Sequence, residues 1–491
     1  MSTAANAQNQ KMIKPIPILI SFLIAGFIGL FSETALNMAL GNLMQEFNVV
    51  SSTVQWITTG YLLTMGILIP VTALLIQWLT TRQLFISSVL FSIAGVVLSG
   101  LASTFNVLLL GRVIQAIGTG LLIPLMFHTV LIIFPVHKRG VIMGVVGLVM
   151  MSAPAVGPAT SGLIIEALSW NWILWLILPF LLFTLVYGFI FVQNVSTLTK
   201  PKVDVLSIFL STIGFGGIVY GFSVAGHQGW GSPIVISSLA IGLASLIVFS
   251  IRQFKIDNPM LDLRTLKYPM FTLGLLSVSA TFMIILSTMI LLPLYLQIGL
   301  GLTALTAGLI LMPGGALNGI LSPVAGRVYD KYGPKYLLTP GFIIMLFMLW
   351  NLSNMTIDTS KEMVILLHSG LMIGVTFVMM PLQTHGLNAL PAKLYPDGTA
   401  LINTLLQVSG SIGTALAITI MSAAQNTYLQ DFPNPSDPAL VGASLTAGVQ
   451  TAFILGIVLA ISGLIMSLFM NKPTQQELMY AEKTVDRNLV N

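Results

Sequence analysis

Stretches of about 20 apolar residues recur from one end of this chain to the other, separated by short polar breaks, and that pattern limits the fold more than any other feature. A helix needs about that length to cross the hydrocarbon core of a bilayer. Backbone groups in lipid must find their partners internally, which selects helices for runs of this length. The spacing predicts fourteen spans, at 16–40, 54–79, 83–102, 107–134, 139–166, 172–193, 205–224, 234–252, 270–297, 303–326, 336–352, 363–383, 398–424 and 447–470. Composition agrees, with 56% hydrophobic and 7% charged residues, against roughly 25% charged in a soluble chain. The expected class is an all-α polytopic membrane protein.

Lys and Arg placement gives the orientation, because cytoplasmic loops carry the positive excess. Arg112 lies inside a span, Lys361 falls in an odd-to-even loop, and the remaining basic residues fall in the termini or even-to-odd loops. Both termini are therefore expected in the cytoplasm. This asymmetry accounts for the net charge of +5 without a nucleic-acid partner. The first span is too long for a signal-peptide core and is expected to stay uncleaved. The absence of Cys excludes disulfides, thiolate metal sites and Cys nucleophiles. The five His residues are scattered, so no metal site is expected. With neither a G-x-x-x-x-G-K-[ST] loop nor a complete G-x-G-x-x-G, neither ATP hydrolysis nor dinucleotide chemistry is indicated. The chain reads as a non-enzyme without a cofactor, driven by an ion gradient.

The end of the second span, PVTALLIQWLTTRQLF (70–85), and the end of the tenth, PVAGRVYDKYGPKYLL (323–338), align on Pro70 and Pro323. The copies stand eight spans apart, so spans 7 and 8 read as a pair inserted between two six-helix bundles. The expected parts are a cytoplasmic N-terminus (1–15), an N-terminal bundle (16–197), a linker with the inserted pair (198–268), a C-terminal bundle (269–471) and a cytoplasmic tail (472–491).

GRVYDKYGPK (326–335) resembles the G-x-x-x-D-x-x-G-[RK]-[RK] loop of the major facilitator superfamily. LLLGRVIQAIGTG (108–120) resembles that superfamily's Arg-bearing motif, and GLVMMSAPAVGPATSG (147–162) the motif typical of its antiporters. The wording FSETALNMAL and TTRQLF resembles the lincomycin-efflux branch of its fourteen-helix drug:proton antiporters. The resemblance implies a major facilitator fold in a bacterial cell membrane, with helices 1 and 4 lining one central cavity. The chain departs from the pattern at Gln77 and Thr80, where most members have Asp and Gly, and at Ser32, where most have Asp.

Glu33 and Arg112 are the charged residues well inside the spans. A charge at that depth costs at least ~2.5–3.5 kcal/mol on insertion scales, which marks a functional position. Both fall about 8–10 Å below the same boundary at about 1.5 Å per residue, close enough to meet. A carboxylate whose protonation follows its exposure and its cationic neighbour suits exchange of a proton for a drug; the same pair could simply pin two helices. Gly326, Arg327, Asp330, Gly333 and Lys335, with Lys331, read as a gating loop or as a positive-inside anchor. Pro154, Gly157 and Pro158 are expected to interrupt and kink span 5, while Gly147, Gly157 and Gly162 would admit a neighbouring helix closely. Asn37, Gln55, Gln115, Asn318, Asn403 and Gln407 are amides that could bond a substrate or neighbouring helices. The segment 425–446 reads as a solvated outer loop.

The expected function is a monomeric, proton-coupled efflux antiporter for amphipathic or lipophilic drugs, whose partners are those drugs, protons and membrane lipids. Export of an endogenous lipid-like or metabolic compound, uptake by symport, and a non-transporting membrane role are the alternatives.

Overall fold

The computed structural model describes residues 14–49, 51–54, 56–196, 198, 204–256, 259–430 and 438–470. Fourteen helices long and apolar enough to cross a membrane follow one another among them: α1 (Pro15–Ala35), α2 (Trp56–Trp78), α3 (Thr81–Gly100), α4 (Phe105–Ile133), α5 (Val136–Ala167), α6 (Asn171–Phe191), α7 (Val205–Gln228), α8 (Pro233–Lys255), α9 (Pro269–Leu294), α10 (Ala304–Tyr332), α11 (Lys335–Leu352), α12 (Lys361–Asn388), α13 (Tyr395–Gln430) and α14 (Pro438–Leu468). The protein is an integral membrane protein. Fourteen crossings return the chain to the end from which it started, called here the termini end.

Local chemistry sets the helix boundaries. Pro15, Pro233 and Pro269 open helices where a missing N–H costs nothing. Thr104, Thr303 and Ser360 cap α4, α10 and α12 through their hydroxyls. Thr80, where the resemblance leads one to expect Gly, forms a reciprocal capping box with Gln83 and starts α3. Gly333, with φ of 86°, stops α10 in a conformation that other residues rarely adopt.

Helices α1–α6 pack among themselves, and so do α9–α14, while α7 and α8 form a hairpin whose α7 touches α2 and α13. The two groups meet mainly where α5 lies along α10 and α2 along α13. α4 is 83% buried over its most apolar window and α8 only 17%, which puts α4 at the centre and α8 against lipid. Ile236, Ile241, Ile247 and Ile251 of α8 are accordingly exposed.

Three expectations change. Gly326, Arg327 and Asp330 lie in the last two turns of α10, not in a loop, because no residue before Gly333 breaks the helix. α5 is helical throughout Val136–Ala167 and is not interrupted at Pro154 or Pro158; the side chain of Pro158 lies outside the described residues. Much of 425–446 is helix, as the last turns of α13 and the first of α14, since Gln425, Asn426, Thr427 and Gln430 continue α13 as its polar end; residues 431–437 lie outside the described residues, as do the first thirteen residues and 471–491.

Candidate functional site

Arg112 enters the centre of the first group from α4, two turns below the end opposite the termini, and is fully buried. A buried guanidinium needs acceptors on its donors. One terminal nitrogen donates to Gln115 Oε1 at 2.7 Å and to Ser32 Oγ at 3.3 Å. The other donates to the backbone carbonyl of Glu33 at 3.5 Å. Gln115 Nε2 closes the ring by donating to Ser32 Oγ at 2.6 Å. Beneath the guanidinium lies the Tyr61 ring of α2, 4.3 Å from ring centre to Cζ, a cation–π contact. The Tyr61 hydroxyl donates to the Gly29 carbonyl at 3.2 Å and pairs with Thr119 Oγ1 at 2.7 Å. Arg112 Nε is buried without a partner among the described residues.

Helices α1 and α4 thus bring Glu33 and Arg112 together, but not as a direct ion pair. Ser32 faces Arg112; Glu33, one residue and about 100° further round the helix, offers its carbonyl there and makes no side-chain hydrogen bond to the guanidinium from its half-buried carboxylate. The carboxylate remains in electrostatic range of both Arg112 and Tyr61.

A second constellation joins the two helical groups at the termini end. The Asp330 carboxylate of α10 accepts from the backbone N–H of Gly140 at 2.8 Å and of Val141 at 2.9 Å, in the second turn of α5. Both amides lie near the N-terminal end of α5, where the positive end of the helix dipole favours an anion. Gly140 and Gly326 make the approach possible: a Cβ on either would strike the facing backbone or the Asp330 carboxylate. Gly147 is equally tight, against Met380 and Ser322, and Gly157 against Thr34. At Gly162 the close approach expected from the sequence is missing, since nothing lies within 4 Å of an added carbon.

Arg139, one residue before Gly140, is fully buried, although its place at a span boundary looks in the sequence like any positive-inside charge. It donates to Asn388 Oδ1 at 2.8 Å and to the Tyr395 hydroxyl at 3.0 Å, both in the second group, and to the carbonyls of Phe134 and Leu131. Arg327, Lys331 and Lys335 are exposed and take no part in this closure.

The amides divide. Gln115 belongs to the Arg112 ring. Asn318 donates to the Met372 carbonyl at 3.2 Å, and its own oxygen has no partner among the described residues. Asn403 bonds Thr399 within α13 at 2.7 Å. Gln407 is half-buried. Gln55 and the side chain of Asn37 lie outside the described residues.

The profile of the Major Facilitator Superfamily matches residues 22–414. The chain belongs to the major facilitator superfamily. Among members of that superfamily, it is 59% identical over 466 residues to the lincomycin resistance protein LmrB of Listeria monocytogenes, covering 95% of this chain and 99% of the relative. It is 57% identical over 474 residues to LmrB of Bacillus subtilis, covering 96% and 98%. The solved structure of the proton:xylose symporter XylE superposes with a TM-score of 0.62 at 14% identity, over 95% of this chain and 98% of that one, which shows the common major facilitator fold.

Proposed function

We propose that the protein is a proton-coupled efflux antiporter that exports amphipathic or lipophilic drugs, lincosamides among them. The carrying observation is the buried ring of Arg112, Ser32 and Gln115 with the Glu33 carboxylate beside it, in a chain whose near full-length relatives are lincomycin resistance proteins. The positive-inside reading puts the termini end in the cytoplasm. In that orientation Asp330 and Arg139 hold the cytoplasmic side shut. Glu33 takes a proton from outside, the two six-helix bundles rock about the midplane as two-repeat transporters do, and the proton leaves to the cytoplasm as drug binds. Helices α7 and α8 ride as an inserted pair, and the transporter works as a monomer among membrane lipids.

The gradient suffices. One proton moving down about 100 mV supplies about 2.3 kcal/mol and one pH unit adds about 1.4, enough for a several-hundred-fold gradient of a neutral substrate. The test is reconstitution with an internal pH dye, adding lincomycin, a lipophilic cation and a neutral dye in turn to wild type and Glu33→Gln. Drug-evoked proton movement that disappears in the variant supports Glu33 as the carrier. Unchanged movement in the variant removes Glu33 from that role, and silence of the wild type with every compound favours an endogenous substrate.

A further inference from the structure

The internal repeat reaches beyond the helix ends, and it pairs Arg112 with a residue that the antiport reading does not use. Thr104 caps α4 and Ser360 caps α12. Arg112 is the eighth residue after the first cap and His368 the eighth after the second; Gly118 and Gly374 are each the fourteenth. Further along, PLMFH (124–128) answers PLQTH (381–385), one residue out of phase. Pro70 and Pro323 align α2 with α10, and nine residues before each stand Tyr61 and Gly314. The contacts obey the same correspondence. Arg112 lies over Tyr61, and His368 lies over Gly314, where a Cβ would collide with imidazole Nδ1.

We propose that His368 is a second proton-exchanging group, set in the C-terminal half by the repeat that sets Arg112 in the N-terminal half. The inference rests on the proton-coupled reading above. His368 is 8% exposed, and its Nδ1 has no hydrogen-bond partner among the described residues. One turn along the same α10–α12 seam, the Asn318 oxygen is also unpartnered. A buried imidazole without a partner is fixed in neither tautomer, and burial favours its neutral form, so it takes a proton when the seam opens to water. The lone pair of a ring nitrogen takes a proton to give imidazolium and returns it on release. Seven residues from the start of α12, His368 lies about 10 Å below the same end as Arg112.

No charged side chain among the described residues interacts with it. α9 carries no titratable residue. On α5, α10, α11 and α13 such residues stand near the helix ends: His137, Lys138, Arg139 and Glu166, then Arg327, Tyr329, Asp330, Lys331 and Tyr332, then Lys335 and Tyr336, then Tyr395, Asp397 and Tyr428. On α12 itself, Lys361 and Glu362 open the helix and His385 closes it.

The experiment measures the ratio of protons to lincomycin moved in proteoliposomes holding wild type, His368→Gln or His368→Asn. It is paired with NMR titration of ring-labelled histidine, with the His368 signal assigned by its loss in the variants. The expected result is a ratio at least halved in both variants and a wild-type His368 signal that titrates between about pH 5 and 8. A wild-type ratio in the variants, or a signal that stays fixed from pH 5 to 9, overturns the proposal. Wild type that moves lincomycin without protons overturns the coupling reading itself, which separates the two failures.

Discussion

The carboxylate of Asp330, in the last turns of α10, receives the backbone N–H of Gly140 at the start of α5 at 2.8 Å, and the N–H of Val141 reaches its second oxygen at 2.9 Å. If the helices part, the Asp330 carboxylate loses both of these amides. Hydrogen bonds to a charged group contribute about 1.5–3 kcal/mol each. Asp330→Asn keeps one acceptor and loses the charge, so the ratio of open to closed at this end rises on the order of tenfold. The chain has no Cys, so spin labels on Lys138→Cys and Lys331→Cys, both at exposed positions, read this distance without background. A longer-distance population that does not grow in Asp330→Asn would show that the latch does not hold the closed state.

Gly326 presses on the Gly140 carbonyl so closely that a methyl group cannot fit. Gly326→Ala forces the helices apart, and the expected result is a fall of at least tenfold in lincomycin efflux from cells, with the spin-label distance lengthened. Gly308→Ala, at a position where nothing lies within 4 Å, is the matched control and leaves efflux within about twofold. Equal efflux from the two variants would mean that close approach at Gly326 is dispensable.

The spans were legible because lipid leaves a chain few choices, and helix rise placed Glu33 and Arg112 at one depth. The contact between them was not. Depth along a helix says nothing of the angle around it, and a hydroxyl at Ser32 carries no signal that it takes the guanidinium while Glu33 turns aside. Arg139 was hidden for another reason: at a span boundary it looks like any positive-inside charge. Its acceptors, Asn388 and Tyr395, lie far away in sequence and become neighbours only when the groups dock. Gly162 fails the other way, since a glycine motif marks where helices can approach and not where they do.

Ser32 occupies the place from which an acid would face Arg112 directly. Ser32→Asp puts a carboxylate within reach of both the guanidinium and Gln115, so the Ser32→Asp, Glu33→Gln double variant is expected to recover drug-evoked proton movement that Glu33→Gln alone lacks. Recovery to at least half of the wild-type rate would show that the cluster needs one acid near Arg112, at either angle. A silent double variant would show that the acid works only from the Glu33 direction. The internal pH dye measures both.

Asp204 lies just outside α7 and ties the start of that helix to the end of α8. Its oxygens take Arg252 Nε at 2.8 Å and a terminal nitrogen at 3.0 Å, and the Ser207 hydroxyl at 2.6 Å. Arg252 chiefly, with Ser207, depresses the Asp204 acid to about 2, below the ordinary value of about 3.9. A depressed carboxylate stabilises the fold above its unfolded pKa and loses that contribution as pH falls through the folded one, so the window is about pH 4 down to about 2. The effect is small, because Arg252 is 38% exposed and solvent screens the pair. The network continues through Gln253, which bonds Ser207 and accepts the amides of Met260 and Leu261. Hydrogen exchange at those two amides is therefore the sensitive readout. Asp204→Asn is expected to speed it a few-fold at pH 7, with the variant and wild type converging when samples are held near pH 2. Identical exchange at pH 7 would mean that the ion pair does not brace the hairpin.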